Sequence, residues 1–368
     1  MKIERINLYH IRMDLRSPFE TSFGRIHTRD CILIEGFCDG IVGYGECAAD
    51  RDPGYSYETS LTAWHILRDF LIPSVLNKDI RNIPEFLKNI QSIRGHPMAK
   101  AGLEMVYWDL IGKIENRPIK GLIGGTYEKI KVGVSIGIQE TPKQLVDTVN
   151  QYLSQGYARI KIKIKPGRDV GDTGAVRKAF PNIMLQVDAN SAYTLETAEN
   201  LLPLDNLDLL LIEQPLSEDD LWDHRQIQKQ FKTPICLDES ITSPRHARQA
   251  IEMEACKIIN IKPGRVGGIS QAIKIHNIAH TFDIPVWCGG MLETGVGRAA
   301  NLSLSSLRGF TLPADISATE RYYEEDITLQ TFHLNQDSTI DVPTGPGLGI
   351  EVVPEAIKRA TLDTLTIH

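Results

Sequence analysis

Ala158-Arg159-Ile160-Lys161-Ile162-Lys163-Ile164-Lys165-Pro166-Gly167 alternates cation and isoleucine. A strand sends successive side chains to opposite faces, so Lys161, Lys163 and Lys165 share one face and the isoleucines the other. In isolation the run reads as a strand with one wet face. The sequence downstream changes that reading. Apolar runs ending in a polar residue recur at Leu185-Gln186-Val187-Asp188, Leu210-Leu211-Ile212-Glu213, Cys236-Leu237-Asp238 and Ile259-Asn260-Ile261-Lys262. Counted from Lys163, the steps are 25, 25, 25 and 24 residues. Each step holds one strand and one helix-like segment.

The alternation extends both ways. Strand candidates fall at 131–138, 158–164, 183–188, 209–213, 235–238, 257–262 and 285–288, with a weaker eighth run at 310–315. Amphipathic segments separate them. Strand–helix alternation implies parallel strands joined by crossovers, and eight units imply a (β/α)8, TIM-like barrel of class α/β. A doubly wound open sheet is the rival, but the Gly-rich phosphate turn expected after its first strand is absent. Residues 1–125 read differently, strands first and helices after, as an α+β unit. Cys38-Asp39-Gly40 marks a hairpin there. The segment 16–27, with Pro18 and Gly24, reads as a loop long enough to act as a lid, or as a plain packed connection. The barrel is expected over 126–320. The tail, 321–368, is expected to return to the N-terminal block and complete a discontinuous capping domain.

Composition excludes several classes. Apolar residues make up 42% of the 368 and charged residues 24%, an ordinary globular balance. A net charge of -7 with no basic cluster argues against nucleic acid. No apolar run is long enough to span a bilayer, and the charged start lacks a signal peptide's apolar segment. The expectation is a cytoplasmic protein. Its six cysteines form no C-x-x-C pair and read as buried free thiols.

The regular spacing places Lys163, Asp188, Glu213, Asp238 and Lys262 at equivalent heights on adjacent strand ends, where barrel active sites form. Three neighbouring carboxylates repel one another, and a divalent cation relieves this. Oxygen-only donors suit magnesium, with manganese an alternative, better than zinc or copper. Each carboxylate taken singly reads equally well as a helix cap or lysine partner. The set of three at matched spacing favours a shared metal. Lys161 and Lys163 flank it from one side and Lys262 from the other. A lysine beside a metal and a second cation is expected to have a lowered pKa and to serve as a base. Two lysines on opposite faces of one carbon would racemise it; one base with a cationic partner would permit elimination of water. Gly289, after strand seven, reads either as backbone approach to a substrate carboxylate or as a tight turn. Ser135 reads as an inward-facing group or a satisfied core serine, and Arg265 as a surface residue or a site residue. Phe19 and Phe23 in the segment 16–27 are candidates to cover a ligand. Lys165 is read as solvated.

The chain resembles the enolase superfamily, specifically the o-succinylbenzoate synthase / N-succinylamino acid racemase group of its muconate-lactonizing-like branch. The resemblance rests on Ser17-Pro18-Phe19-Glu20-Thr21-Ser22-Phe23-Gly24, Gly45-Glu46-Cys47, Gly95-His96-Pro97-Met98, Lys161-Ile162-Lys163, Asp188-Ala189-Asn190, Glu213-Gln214-Pro215, Asp238-Glu239-Ser240, Lys262-Pro263-Gly264-Arg265 and Gly289-Gly290-Met291-Leu292-Glu293-Thr294-Gly295. It implies Lys163 as the base, Lys161 as its electrostatic partner and Lys262 as the lysine of the opposite face. It implies Asp188, Glu213 and Asp238 as magnesium ligands. Ser135, Asn190, Arg265, Gly289, Met291, Phe19 and Phe23 are then the substrate contacts. The implied reaction is dehydration of 2-succinyl-6-hydroxy-2,4-cyclohexadiene-1-carboxylate to 2-succinylbenzoate, a menaquinone step. Arg265 after the second lysine keeps N-succinylamino acid racemisation as the alternative, and a non-catalytic metabolite-binding barrel is the distant one. The partner implied is a small carboxylate, with homo-oligomerisation left open.

Overall fold

The computed structural model describes residues 1–368. Three antiparallel strands open the chain: β1 (Arg5–Thr21), β2 (Gly24–Cys38) and β3 (Ile41–Cys47). The segment 16–27, read as a loop, is the far end of the β1–β2 hairpin. The register slips between Asp14 and Phe19, then Phe19, Glu20 and Thr21 pair with Ile26, Arg25 and Gly24. Pro18 has no N–H to donate and sits in that slip. Helices Ser60–Ile66, Ile72–Val75, Ile83–Ile90 and Pro97–Ile114 follow. Their apolar faces meet Ile6, Leu8, Ile32 and Ile34 of the sheet in a separate small core.

A parallel sheet comes next: β5 (Gly133–Ile136), β6 (Arg159–Lys163), β7 (Met184–Asp188), β8 (Ile212–Glu213), β9 (Ile235–Leu237), β10 (Ile258–Ile261) and β11 (Val286–Cys288), paired in chain order. The eighth run is not a regular strand. Pro313 interrupts it, yet it closes the circle through single bridges from Phe310 to Val286 and from Ala314 to Val132. Ala314 N donates to Lys131 O, and Gly133 N to Ala314 O. Ile160 and Ile162 point outward into the main core under the helices. Inside, Leu211, Cys236, Ile258 and Trp287 form an apolar plug.

Before β5, the short β4 (Lys129–Lys131) pairs antiparallel with β12 (Thr339–Asp341) at the barrel's foot. The Gly345–Gly349 turn packs on the helix Pro97–Ile114, where Leu348 N donates to Asp109 Oδ1 at 2.8 Å. Only β13 (Thr361–Ile367) joins the first sheet, antiparallel to β1, giving the order β13-β1-β2-β3. No helix is long and apolar enough to cross a membrane.

Candidate active site

Alternation along β6 sends Arg159, Lys161 and Lys163 to the barrel interior. Lys163, Asp188 and Glu213 stand in one ladder row. Glu213, however, pairs with Cys236, so Asp238 lies two residues further along its strand. Barrel strands tilt, and a level ring must climb the register to compensate. Uniform spacing of the motifs therefore does not mean a uniform row.

The carboxylates are fully buried and each holds a lysine. Asp188 Oδ2 accepts from Lys161 Nζ at 3.1 Å and from Lys163 Nζ at 2.6 Å. Glu213 accepts from Lys161 at 2.9 Å and from Asn260 Nδ2 at 2.7 Å. Asp238 accepts from Lys262 at 2.7 Å, from the Tyr55 hydroxyl at 3.0 Å, and from Arg265. The pairing, more than burial, sets the charge of two of these lysines. Burial alone would depress Lys161 and Lys262, but Asp315, Glu213 and Asp188 outweigh it for the first, and Asp238 and Tyr55 for the second. Both stand above the ordinary lysine value rather than below it. Asp188 is held low: burial opposes ionisation, and Lys163 and Lys161 overcome it. Glu213 goes the other way, pushed up to about 7 by burial and by the Asp188 charge.

Above these groups opens a cavity of about 300 Å³. Lys161, Lys163, Lys262, Ser135, Asn190, Met291, Phe19 and Phe23 all line it. Ser135 Oγ is buried without a partner, so it faces the cavity as an unused group. Asn190 accepts from Lys163 and donates to Glu239, each within 2.8 Å, which fixes its amide orientation. Gly289 and Arg265 do not line the cavity. A Cβ on Gly289 would strike Asn260 and Lys262, so the glycine lets the second lysine pass. Arg265 is buried behind Asp238, donating also to Ile241 O and Asn260 O. Lys165, read as solvated, pairs with Glu20 of the hairpin at 3.0 Å. Ser22 Oγ at the hairpin turn donates to Asn190 O. The Ile138 N–H also donates to Glu20 O, so the hairpin is fastened to the barrel mouth through Ile138, Lys165 and Asn190.

Several site residues escaped the sequence reading. Tyr55 comes from an irregular segment of the cap and bonds Asp238, Lys262 and Arg265. Asp315, on the bridging eighth run, pairs with Lys161. Glu46 of the Gly45-Glu46-Cys47 motif accepts from the backbone of Thr294 and Gly297 at the start of the helix Gly295–Ser305. A carboxylate at a helix N-terminus satisfies its free N–H groups, and this one joins cap to barrel.

Oxygen-only donors, a Glu213 carboxyl driven up by burial and by Asp188, and a buried Glu239 Oε2 with no partner fit a divalent cation, although no three carboxylates are already drawn together into a metal cluster. In the chain by itself the lysines supply the compensating charge.

Comparison with known proteins bears on the whole chain. Residues 4–124 match the family model "Mandelate racemase / muconate lactonizing enzyme, N-terminal domain", and residues 144–356 match "Enolase C-terminal domain-like". An o-succinylbenzoate synthase of Geobacillus kaustophilus is 47% identical over 369 residues, covering 100% of this chain and 98% of the relative. An N-succinylamino acid racemase of Amycolatopsis sp is 45% identical over 362 residues, covering 98% of each. The crystal structure of an enolase-superfamily member from Listeria innocua superposes with a TM-score of 0.95 at 43% identity, covering 100% of this chain and 99% of the other.

Proposed function

The chain belongs to the enolase superfamily, and from that premise we propose that it abstracts an α-proton from a small carboxylate, acting as an o-succinylbenzoate synthase. The observation that carries this reading is the floor of the cavity: three buried carboxylates under three lysines, two on β6 and one on β10. These strands are four positions apart in a ring of eight, so Lys163 and Lys262 address a bound carbon from opposite sides.

Asp188, Glu213 and Asp238 would hold magnesium, which would supply positive charge to the substrate carboxylate and to the enolate. Lys163, freed from Asp188, takes the α-proton of 2-succinyl-6-hydroxy-2,4-cyclohexadiene-1-carboxylate. It returns that proton to the departing 6-hydroxyl, which leaves as water, and the ring becomes aromatic. Lys161 stays protonated beside it as a fixed positive charge. Lys262 stands on the far face as a cation over the ring. The same pair supports the second reading, racemisation of N-succinylamino acids, because removal on one face and return on the other inverts the carbon. The six free, buried cysteines accord with a reducing cytoplasm.

The purified protein, treated with EDTA, is assayed on both substrates before and after adding magnesium. Dehydration is expected to appear only with the metal. Absence of turnover on either substrate in saturating magnesium would sink the reading.

A pH dependence follows from Glu213. Its folded-state pKa of about 7 lies above its ordinary 4.5. Between those values the folded state keeps a proton that the unfolded state has lost. The group's contribution to stability is therefore present below the ordinary value and disappears as pH rises through 7. A metal needs the ionised carboxylate, so at pH 6 it must displace a proton and at pH 8 it need not. The rise in Tm produced by a fixed magnesium concentration is expected to be larger at pH 8 than at pH 6. Thermal scans at the two pH values check this, and an equal or reversed increment contradicts it.

A further inference from the structure

Lys161 poses a problem that the proposed chemistry leaves open. Its ammonium group has three donors. Two go to Asp188 Oδ2 and Glu213 Oε2, the carboxylates a metal would take. The ammonium also forms an ion pair with Asp315 Oδ2 at 2.5 Å. A divalent cation entering the site competes with Lys161 for the first two carboxylates. It also neutralises their charge and repels the lysine. Without another anchor, a buried lysine in that position would keep the two carboxylates and exclude the metal.

We propose that Asp315 is the positioning residue that holds Lys161 on the eighth-strand side of the barrel, so that the lysine yields Asp188 and Glu213 to a metal without leaving the site. The inference rests on the magnesium reading above. Three observations support it. Asp315 is not one of the three proposed metal ligands, and it reaches Lys161 from the side of the barrel opposite β7 and β8. Arg159, the next inward side chain below Lys161, pairs with Asp315 at 2.5 Å and donates to Pro313 O and Ala314 O. It therefore fixes the irregular run that carries Asp315. The indole face of Trp287 lies 5.0 Å from Lys161 Nζ and gives the ammonium a second non-carboxylate contact. Burial opposes ionisation of Asp315, but Arg159 and Lys161 hold its carboxyl at about 2. The anchor thus stays charged throughout the working range. Gly133 is part of the same device: a Cβ there would fall 2.4 Å from the Arg159 guanidinium.

The test is a double-mutant cycle read by magnesium titration calorimetry, not by turnover. Asp315→Asn removes the anchor's charge while nearly preserving its shape. Lys161 then has only Asp188 and Glu213 as anionic partners, and magnesium affinity is expected to fall about tenfold or more. In a Lys161→Gln background the same substitution is expected to change affinity by less than about twofold, because no lysine remains to compete. If Asp315→Asn does not fold, Asp315→Ser leaves room for water and an oxygen near Lys161 but no charge, and carries the same expectation. Unchanged affinity in the single variant, or an equal loss in both backgrounds, overturns the proposal. Failure of the unaltered protein to bind magnesium at all would count against the metal reading itself, and so is distinguishable.

Discussion

Lys163→Ala is expected to lower kcat/KM for dehydration about 10⁴-fold, and for racemisation equally, with the fold intact. The structure separates these effects. The Lys163 side chain makes only two polar contacts, to Asp188 and Asn190. Asp188 keeps Lys161 when it is lost. The outward packing of β6 depends on Ile160 and Ile162, which the substitution does not touch. Thermal stability is therefore expected to stay near that of the parent. Lys262 survives in the variant, so one enantiomer of an N-succinylamino acid should still exchange its α-proton with D₂O without inverting. Lys262→Ala should show the reverse preference. Steady-state assays together with NMR-monitored exchange read both outcomes. Undiminished turnover in Lys163→Ala would remove the base assigned here.

Gly45→Val is expected to produce the largest stability loss of any single change considered, about 3 kcal/mol or more. A Cβ on Gly45 would lie 2.1 Å from Gly102 O and 2.9 Å from Val106 N; one on Gly102 would lie 2.8 Å from Cys47 N. Here β3 and the helix Pro97–Ile114 touch backbone to backbone, and neither can yield by turning a side chain. Displacing the helix would also disturb Glu46, which is adjacent to Gly45 and caps a barrel helix. Gly174→Ala serves as the control. Nothing lies within 4 Å of its added Cβ, and it sits in the helix Val170–Ala179. There alanine is expected to stabilise slightly. Urea midpoints compare the two, and a Gly45→Val loss under about 1 kcal/mol would contradict the account.

The barrel was legible because period-two alternation and a repeat near 25 residues are local properties of the chain. Lys163, Asp188, Glu213, Asp238 and Lys262 were legible for the same reason: each falls at or just past the end of a strand. What escaped notice lacks a period. Asp315 sits where Pro313 breaks the strand pattern, so only three-dimensional closure shows that it faces Lys161. Tyr55 reaches the site from an irregular segment about 180 residues away from its partner Asp238. The pairing of Lys165 with Glu20 is equally remote in sequence. Arg265 and Gly289 were identified as site residues by their neighbours, but the structure gives them work behind the cavity wall. A motif marks a neighbourhood and does not say which side chains a ligand can reach.

The first sheet takes its fourth strand, β13, from beyond the barrel, with Ile6 opposite Ile367. The order of synthesis then matters. The first three strands emerge early, yet the edge presented by β1 stays unpaired until the entire barrel has left the ribosome. A nascent chain would thus carry an assembled catalytic floor before its cover is finished. Because the two end strands are neighbours, joining them by a short linker and reopening the chain at an exposed barrel loop should give a permuted protein whose cover forms as one uninterrupted piece.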